Sequence, residues 1–334
     1  MSNIKAATGN RDLDKMLKTK MPAIGIDLGG TKIMATTVNS EGIIDDPIKI
    51  PTPKGPENII DQFLELIEHF KKNHIVAGIG IATAGIVDGS TGTIIGATGN
   101  VPGWTGTPVK RIIESKTLLP TYVVNDANAA VYAEAHTRKL RDLKCVIALT
   151  IGTGIGGGIL VNGELLQGAN WGAGHCGHVK ISMDNKRLCT CGLFDCYEAY
   201  ASGTGLTTTA REILSNISAD QSPLAKDINN LKNSDIFEAA EKNDIVAKQI
   251  IALWHKHLVA GMVSIAHILN PNCFVLSGGL SKFIDYEMLF ELLVDSTMPA
   301  ISENVKIYRS DLGDHAGIIG AAQLILDKLA KPSA

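Results

Sequence analysis

Two stretches of this chain share one form. In each, an apolar run short enough to be a buried strand is stopped by a glycine-rich turn. The first is Ala23–Asp27, which runs into Asp27-Leu-Gly-Gly-Thr-Lys32; the second is Cys145–Thr150, which runs into Gly152-Thr-Gly-Ile-Gly156. Lys32–Asn39 and Gly158–Val161 then read as second strands, the latter turning at Asn162–Gly163 toward Glu164–Leu166. Ile59, Ile60, Phe63, Leu66, Ile67 and Phe70 fall at helical spacing and predict an amphipathic helix over 57–72. Ile75–Ala82 and Tyr122–Val124 read as strands, and the alanine-rich 127–137 as a helix. In the second half, helices dominate from about 204 to 269, Cys273–Leu276 reads as a strand before Gly278–Gly279, and a last helix begins near Ala316. Strands followed by helices, twice over, predict two α/β lobes with a cleft between them. Ligands are then expected outside the carboxyl ends of the strands, where both turns lie. The expected division is an arm over 1–21, a smaller lobe over 22–125 that also receives the C-terminal helix of 316–334, and a larger lobe over 126–315 carrying a loop-rich segment over 168–202.

The 334 residues are 45% hydrophobic, enough for two domains with their own cores. Net charge is −3, from 31 Lys and Arg against 34 Asp and Glu, which gives no field to hold nucleic acid. A nucleotide needs no such field, because backbone N–H groups and a metal hold its phosphates. No apolar run reaches the ~18 residues of a membrane span, and the N-terminal residues lack the apolar core of a signal peptide. Six cysteines, three of them clustered, suit a reducing compartment better than a disulfide framework, so a cytoplasmic location is expected.

Phosphate binding needs close backbone approach, which glycine permits. Gly29, Gly30, Thr31 and Lys32 in the first turn and Gly152, Thr153 and Gly154 in the second are therefore candidate phosphate ligands, with Asp27 placed to hold Mg²⁺. One such turn alone is often merely tight; a third at Gly278 and Gly279 would take the adenosine end of a nucleotide. Neither a Walker loop nor a Rossmann fingerprint is present. Asp126, at a strand end, is a candidate base for a hydroxyl proton, as in kinases. Asn and Asp also cap helices, and a cap aims its oxygen at its own helix. Cys189-x-Cys191-x-x-x-x-Cys196 with His178 upstream is a tetrahedral Zn²⁺ set, with His175 and Cys176 as competing ligands. Four protein ligands close the metal to water, so this zinc would be structural. Glu198 follows the last cysteine and could accept sugar hydroxyls, as could Asn100, while Trp104 reads as packing.

Together these residues resemble the ROK family (repressors, open reading frames and kinases), within it the glucokinase-like sugar kinases, from about Ile24 to Leu324. Asp27-Leu-Gly-Gly-Thr-Lys32 and Gly152-Thr-Gly-Ile-Gly156 are similar to its two phosphate motifs. Asn100-Val-Pro-Gly-Trp104 and Asn125-Asp-Ala-Asn-Ala-Ala130 are similar to its Asn-Leu-Pro-Gly-Trp turn and catalytic segment. Cys189-Thr-Cys-Gly-Leu-Phe-Asp-Cys-Tyr-Glu198 resembles its Cys-x-Cys-Gly-x-x-Gly-Cys-x-Glu signature, with Asp195 in place of a glycine. His175-Cys-Gly-His178 stands where the family has Glu-x-Gly-His. The resemblance implies a two-lobed actin-like ATPase (ribonuclease H-like) fold and ATP-dependent phosphorylation of a hexose, glucose to glucose 6-phosphate. It implies Asp126 as general base, and sugar contacts from Asn100, Asn125, His175, His178 and Glu198. It also implies zinc on His178, Cys189, Cys191 and Cys196, and a homodimer or homotetramer. An amino-sugar kinase acting on N-acetylmannosamine is the alternative acceptor reading, and polyphosphate the alternative donor. A sugar-responsive transcription regulator of the same family is the rival class; only about twenty residues precede Ile24, fewer than a helix-turn-helix domain takes.

Overall fold

The computed structural model describes residues 21–96 and 101–331. Most of the expected N-terminal arm and Asn100 lie outside the described residues. The chain divides into two compact units, one of Met1–Leu140, Leu165–Ala173 and Asp314–Ala334, the other of Arg141–Glu164 and Gly174–Gly313. No helix among the described residues is long and apolar enough to cross a membrane.

In the first unit, β1 (Ala23–Leu28) turns back as β2 (Lys32–Asn39), which pairs with β3 (Gly42–Ile43) and β4 (Ile48–Pro51). On the other side of β1 lie β5 (Ile79–Thr83) and then β8 (Thr121–Asn125), both parallel to it. The order is β3-β2-β1-β5-β8, and β6 (Ile86–Val87) and β7 (Ile94–Gly96) form a small separate ribbon. The strand expected from Ile75 begins only at Ile79, because Ile75 is 82% exposed and its neighbours are spent on a loop. The helix Pro56–Lys71 carries the predicted stripe, which is buried throughout. That stripe packs with Ile24, Ile26, Ile33, Ile81 and Trp104 into one core. Trp104 is fully buried, with Phe63 edge-on and its Nε1 donating to Thr83 Oγ1 at 2.9 Å.

The other face of this sheet is shaped by glycine. Gly25 and Gly80 are paired side by side across β1 and β5. A Cβ on Gly25 would lie 2.1 Å from Ile318 O, and one on Gly80 1.9 Å from Ala321 O. The backbone of the C-terminal helix Ala316–Ala330 thus rests directly on the sheet. The helix Asp126–Thr137 crosses it as closely, since a Cβ on Gly320 would meet Ala129 O at 1.8 Å. This contact extends the first unit to Leu140, past the boundary at 125 expected from the sequence.

The second unit repeats the plan. β9 (Cys145–Ile151) turns back as β10 (Ile155–Val161) and β11 (Glu164–Leu165), with β12 (Cys273–Ser277) and β13 (Lys306–Arg309) parallel on its far side, in the order β11-β10-β9-β12-β13. Helices Gly203–Leu214, Asn233–Glu241 and Ile245–Leu269 of this unit pack against one another.

Because the helix has no room to move outward without losing its seat, Gly80→Ala should cost about 2 kcal/mol or more, at the upper part of the range for overpacking. Urea melts should show a lower midpoint with an unchanged slope; an unaltered midpoint would mean the seat is soft.

Candidate functional site

Parallel strands bring their carboxyl ends to one edge. In the first unit, Leu28, Thr83 and Asn125 are level across β1, β5 and β8, so Asp27 and Asp126 come to the same edge. The turn between β1 and β2 is closed by Gly29 N donating to Lys32 O at 2.9 Å and is tied down by Thr52 Oγ1 donating to Gly29 O at 2.7 Å. Thr31 and Gly30 are exposed there. The C-terminal helix begins at this edge, and Gly317 lacks a side chain where a Cβ would stand 2.5 Å from Asp27 Oδ2. Lys32 Nζ is paired with Asp314, the first residue of the unit's last segment, and Lys49 Nζ lies 3.5 Å from the same carboxylate.

Asn125, not Asp126, holds the N-cap of the helix that follows. Its Oδ1 accepts from Ala127 N at 3.0 Å and Asn128 N at 3.2 Å, and its Nδ2 donates to Gly85 O at 2.9 Å. Asp126 Oδ1 accepts from Ala127 N at 2.8 Å. Burial and then the negative charge of Asp126 push the Asp27 carboxyl up to about 7, against the pull of Lys32. Two carboxylates that oppose each other's charge beside a lysine are a fitting place for a divalent cation, which would relieve that repulsion.

In the second unit, Thr150 and Ser277 are level across β9 and β12, so the turns that follow both strands meet. Gly278 adopts φ +87°, and a Cβ there would strike Ile151 O at 2.5 Å, so the third turn lies against the end of β9. A pocket of about 550 Å³ opens between them, lined by Gly152, Thr153 and Gly279 together with Gly203, Thr204, Lys232 and Asn233. Gly203 N donates to Gly152 O at 2.8 Å and Thr204 Oγ1 to Thr153 O at 2.9 Å. At Gly154 the side that a Cβ would take faces Glu198, whose Oε2 it would meet at 2.3 Å. The last four lining residues named here escaped the sequence reading. Ser202-Gly-Thr-Gly205 is a small-residue run that signals a further turn, but the polar run around Asn233 has no such mark.

The donor atoms of His178, Cys189, Cys191 and Cys196 lie within 4.8 Å of one another. Cys191 Sγ is 3.7 Å from Cys196 Sγ, and Cys189 Sγ is 3.7 Å from His178 Nδ1. Sulfurs at ~2.3 Å from a tetrahedral Zn²⁺ stand about 3.8 Å apart, so the set fits that ion. Of the competing ligands, Cys176 is turned toward Gly157, where a Cβ would be 2.6 Å from its Sγ. The His175 ring instead stacks on that of His178 at 6.3 Å. Asp195 takes φ +59°, and its Oδ1 accepts from Lys186 N at 3.1 Å, Arg187 N at 2.9 Å and Tyr200 Oη at 2.7 Å, which holds the metal loop to its neighbours. Glu198 is fixed between this loop and the second turn. Its Oε2 accepts from Ile155 N at 2.8 Å and its Oε1 from Thr190 Oγ1 at 2.6 Å.

Comparison with known proteins gives a match to the ROK family model over residues 23–328. The chain is 32% identical over 312 residues to a glucokinase of Streptomyces coelicolor, covering 90% of this chain and 96% of that one. It is 30% identical over 306 residues to an N-acetylmannosamine kinase of Escherichia coli, covering 91% and 98%. Among solved structures, a ROK family glucokinase from Streptomyces griseus in complex with glucose and AMPPNP has a TM-score of 0.72 and 31% identity, covering 91% of this chain and 98% of that one.

The raised Asp27 carboxyl has a consequence for stability. The folded protein keeps this proton at pH values where the unfolded chain has lost it. Asp27 therefore takes stability away as pH rises from about 4, the ordinary carboxylate value, to about 7. Melting temperatures in that window, without ligands, should fall less steeply in Asp27→Asn than in the wild type. Parallel profiles would show that Asp27 titrates normally.

Proposed function

We infer the reaction from one premise, that this chain belongs to the ROK family: it is an ATP-dependent hexose kinase of the actin-like ATPase fold. The hydroxyl of the sugar attacks the γ-phosphorus in line, and Asp126 accepts its proton. One observation supports this role for Asp126: Asn125 takes both Ala127 N and Asn128 N, so the cap does not need the Asp126 carboxylate, whose Oδ1 also meets Ala127 N. The same commitment limits Asn125, whose Oδ1 is spent, to a sugar contact through the remaining N–H of Nδ2.

Phosphates lie on the first turn, with Gly29, Gly30, Thr31 and Lys32, and on the second, with Gly152, Thr153 and Gly154. The adenosine end goes to the third turn, Gly278 and Gly279, the second of which lines the pocket. Asp27 holds Mg²⁺, which would screen the charge of the transferring phosphoryl group. His178, Cys189, Cys191 and Cys196 hold a structural Zn²⁺ that orders the loop ahead of Glu198. With Nδ1 turned to the thiolates, His178 offers Nε2 to the sugar, alongside His175, Glu198 and Asn100. Glucose as acceptor is supported by the glucokinase relatives and by the glucose named in the Streptomyces griseus complex. The N-acetylmannosamine kinase of Escherichia coli supports the second reading, an amino sugar.

Coupled ADP release over glucose, mannose, glucosamine and N-acetylmannosamine tests the acceptor; glucose should have the highest kcat/KM, and an N-acetyl hexosamine in first place would replace it. In the same assay Asp126→Asn should lower kcat by about 10²-fold or more, the share of general-base catalysis, while AMPPNP still binds. Residual turnover near that of the wild type would take the role from Asp126. Metal analysis should find about one zinc per chain, and Cys191→Ser should lose it and lower the melting temperature; a wild-type protein purified without zinc and equally stable would contradict the structural role.

A further inference from the structure

The three thiols of the metal loop differ in what can reach them. Cys189 and Cys196 are buried, whereas Cys191 is exposed. It sits in an exposed turn with Thr190, Gly192 and Leu193. Gly192 adopts φ +83°, and a Cβ there would meet nothing within 4 Å, so the turn has open space beside Cys191. Cys196 is held more firmly, bridged to Lys180 and flanked by the buried Asp195 and Tyr197. The sulfurs of Cys191 and Cys196 are 3.7 Å apart, and a disulfide spans about 2.0 Å, so Cys191 has about 1.7 Å to close. An accessible thiolate beside a shielded one is the arrangement in which a first oxidation is captured as a disulfide. The same turn carries Thr190, whose Oγ1 donates to Glu198 Oε1 at 2.6 Å, so a shift of Cys191 acts on that bond.

We propose that Cys191 is a site of reversible oxidation by peroxides, and that its disulfide with Cys196 opens the metal set and parts Thr190 from Glu198. The Cys191 thiolate attacks one oxygen of hydrogen peroxide, which gives a sulfenic acid and releases hydroxide. The Cys196 thiolate then attacks the sulfenic sulfur; the S–S bond forms and a second hydroxide leaves. The two sulfurs lose two electrons, and the peroxide gains them. Only His178 and Cys189 then remain of the four ligands, too few to hold Zn²⁺. A dithiol with added zinc reverses the change. The effect on activity rests on the reading of Glu198 and the second turn as parts of the kinase site.

The test counts zinc first, then adds hydrogen peroxide to the whole protein and follows zinc release, disulfides by peptide mapping, and sugar-dependent ADP release. Zinc should leave as a Cys191–Cys196 disulfide accumulates. ADP release should fall about tenfold or more, the loss typical when a group that supports a site is removed, and dithiothreitol with zinc should restore it. Cys191→His offers the metal a nitrogen in place of the sulfur and should leave Cys196 reduced under the same treatment. Zinc retained with all three thiols intact would overturn the proposal, and so would a disulfide that excludes Cys191. Full ADP release after the disulfide has formed would overturn the link to Glu198. A chain without zinc before peroxide overturns the metal reading and the switch together. One without sugar-dependent ADP release fails as a kinase, while zinc and disulfide still decide the oxidation.

Discussion

The first unit depends on the seat of its last helix. Gly25 and Gly80 stand side by side on the sheet, and carbonyls of Ile318 and Ala321 occupy the space that side chains would fill. Burial of apolar area does not set so short a distance; the absence of two Cβ atoms does. The helix brought down in this way crosses the helix Asp126–Thr137 at Gly320 and starts beside Asp27 at Gly317. One packing contact therefore fixes the edge at which Asp27, Lys32, Asp126 and Asp314 gather. The electrostatics follow, since a carboxyl hemmed in by a helix and a second carboxylate holds its proton up to about 7.

The second unit relies on a polar tie of comparable consequence. Glu198 spans the backbone N–H of Ile155, in the second glycine turn, and the hydroxyl of Thr190, between two cysteines of the metal loop. A metal held by the cysteines would thereby act on the turn as well as on the loop. Gly154 is glycine because that carboxylate takes the place of a side chain. The signature cysteines and the glycine turn, which look independent along the chain, share one group.

Much of this was legible in the sequence, and the reasons are local. The strand-and-turn repeats are short-range patterns, and both units show the predicted hairpin with parallel neighbours. The cysteine spacing defines a metal set within a few residues, and the four donors do converge. What the sequence did not show is set by contacts between distant segments. One exception is local: for Asp126 the sequence leaves capping and catalysis open, and it is Asn125 accepting from both Ala127 N and Asn128 N that decides which residue caps the helix. Asp314 meets Lys32 across most of the chain's length. Asn233 sits in the polar run Asn-Asn-Leu-Lys-Asn-Ser-Asp, which reads as solvated surface until Gly203 is placed against it. The boundary at Leu140 likewise depends on a helix from the other end of the chain.

The central claim is that the carboxylate of Asp126 takes the proton of the attacking hydroxyl. A crystal structure of the protein with glucose and AMPPNP tests it most directly. The account predicts an Asp126 carboxylate oxygen within about 2.6–3.2 Å of the 6-hydroxyl, with that hydroxyl facing the γ-phosphorus. An Asp126 carboxylate turned away from every sugar hydroxyl, with another acidic group in its place, would contradict it.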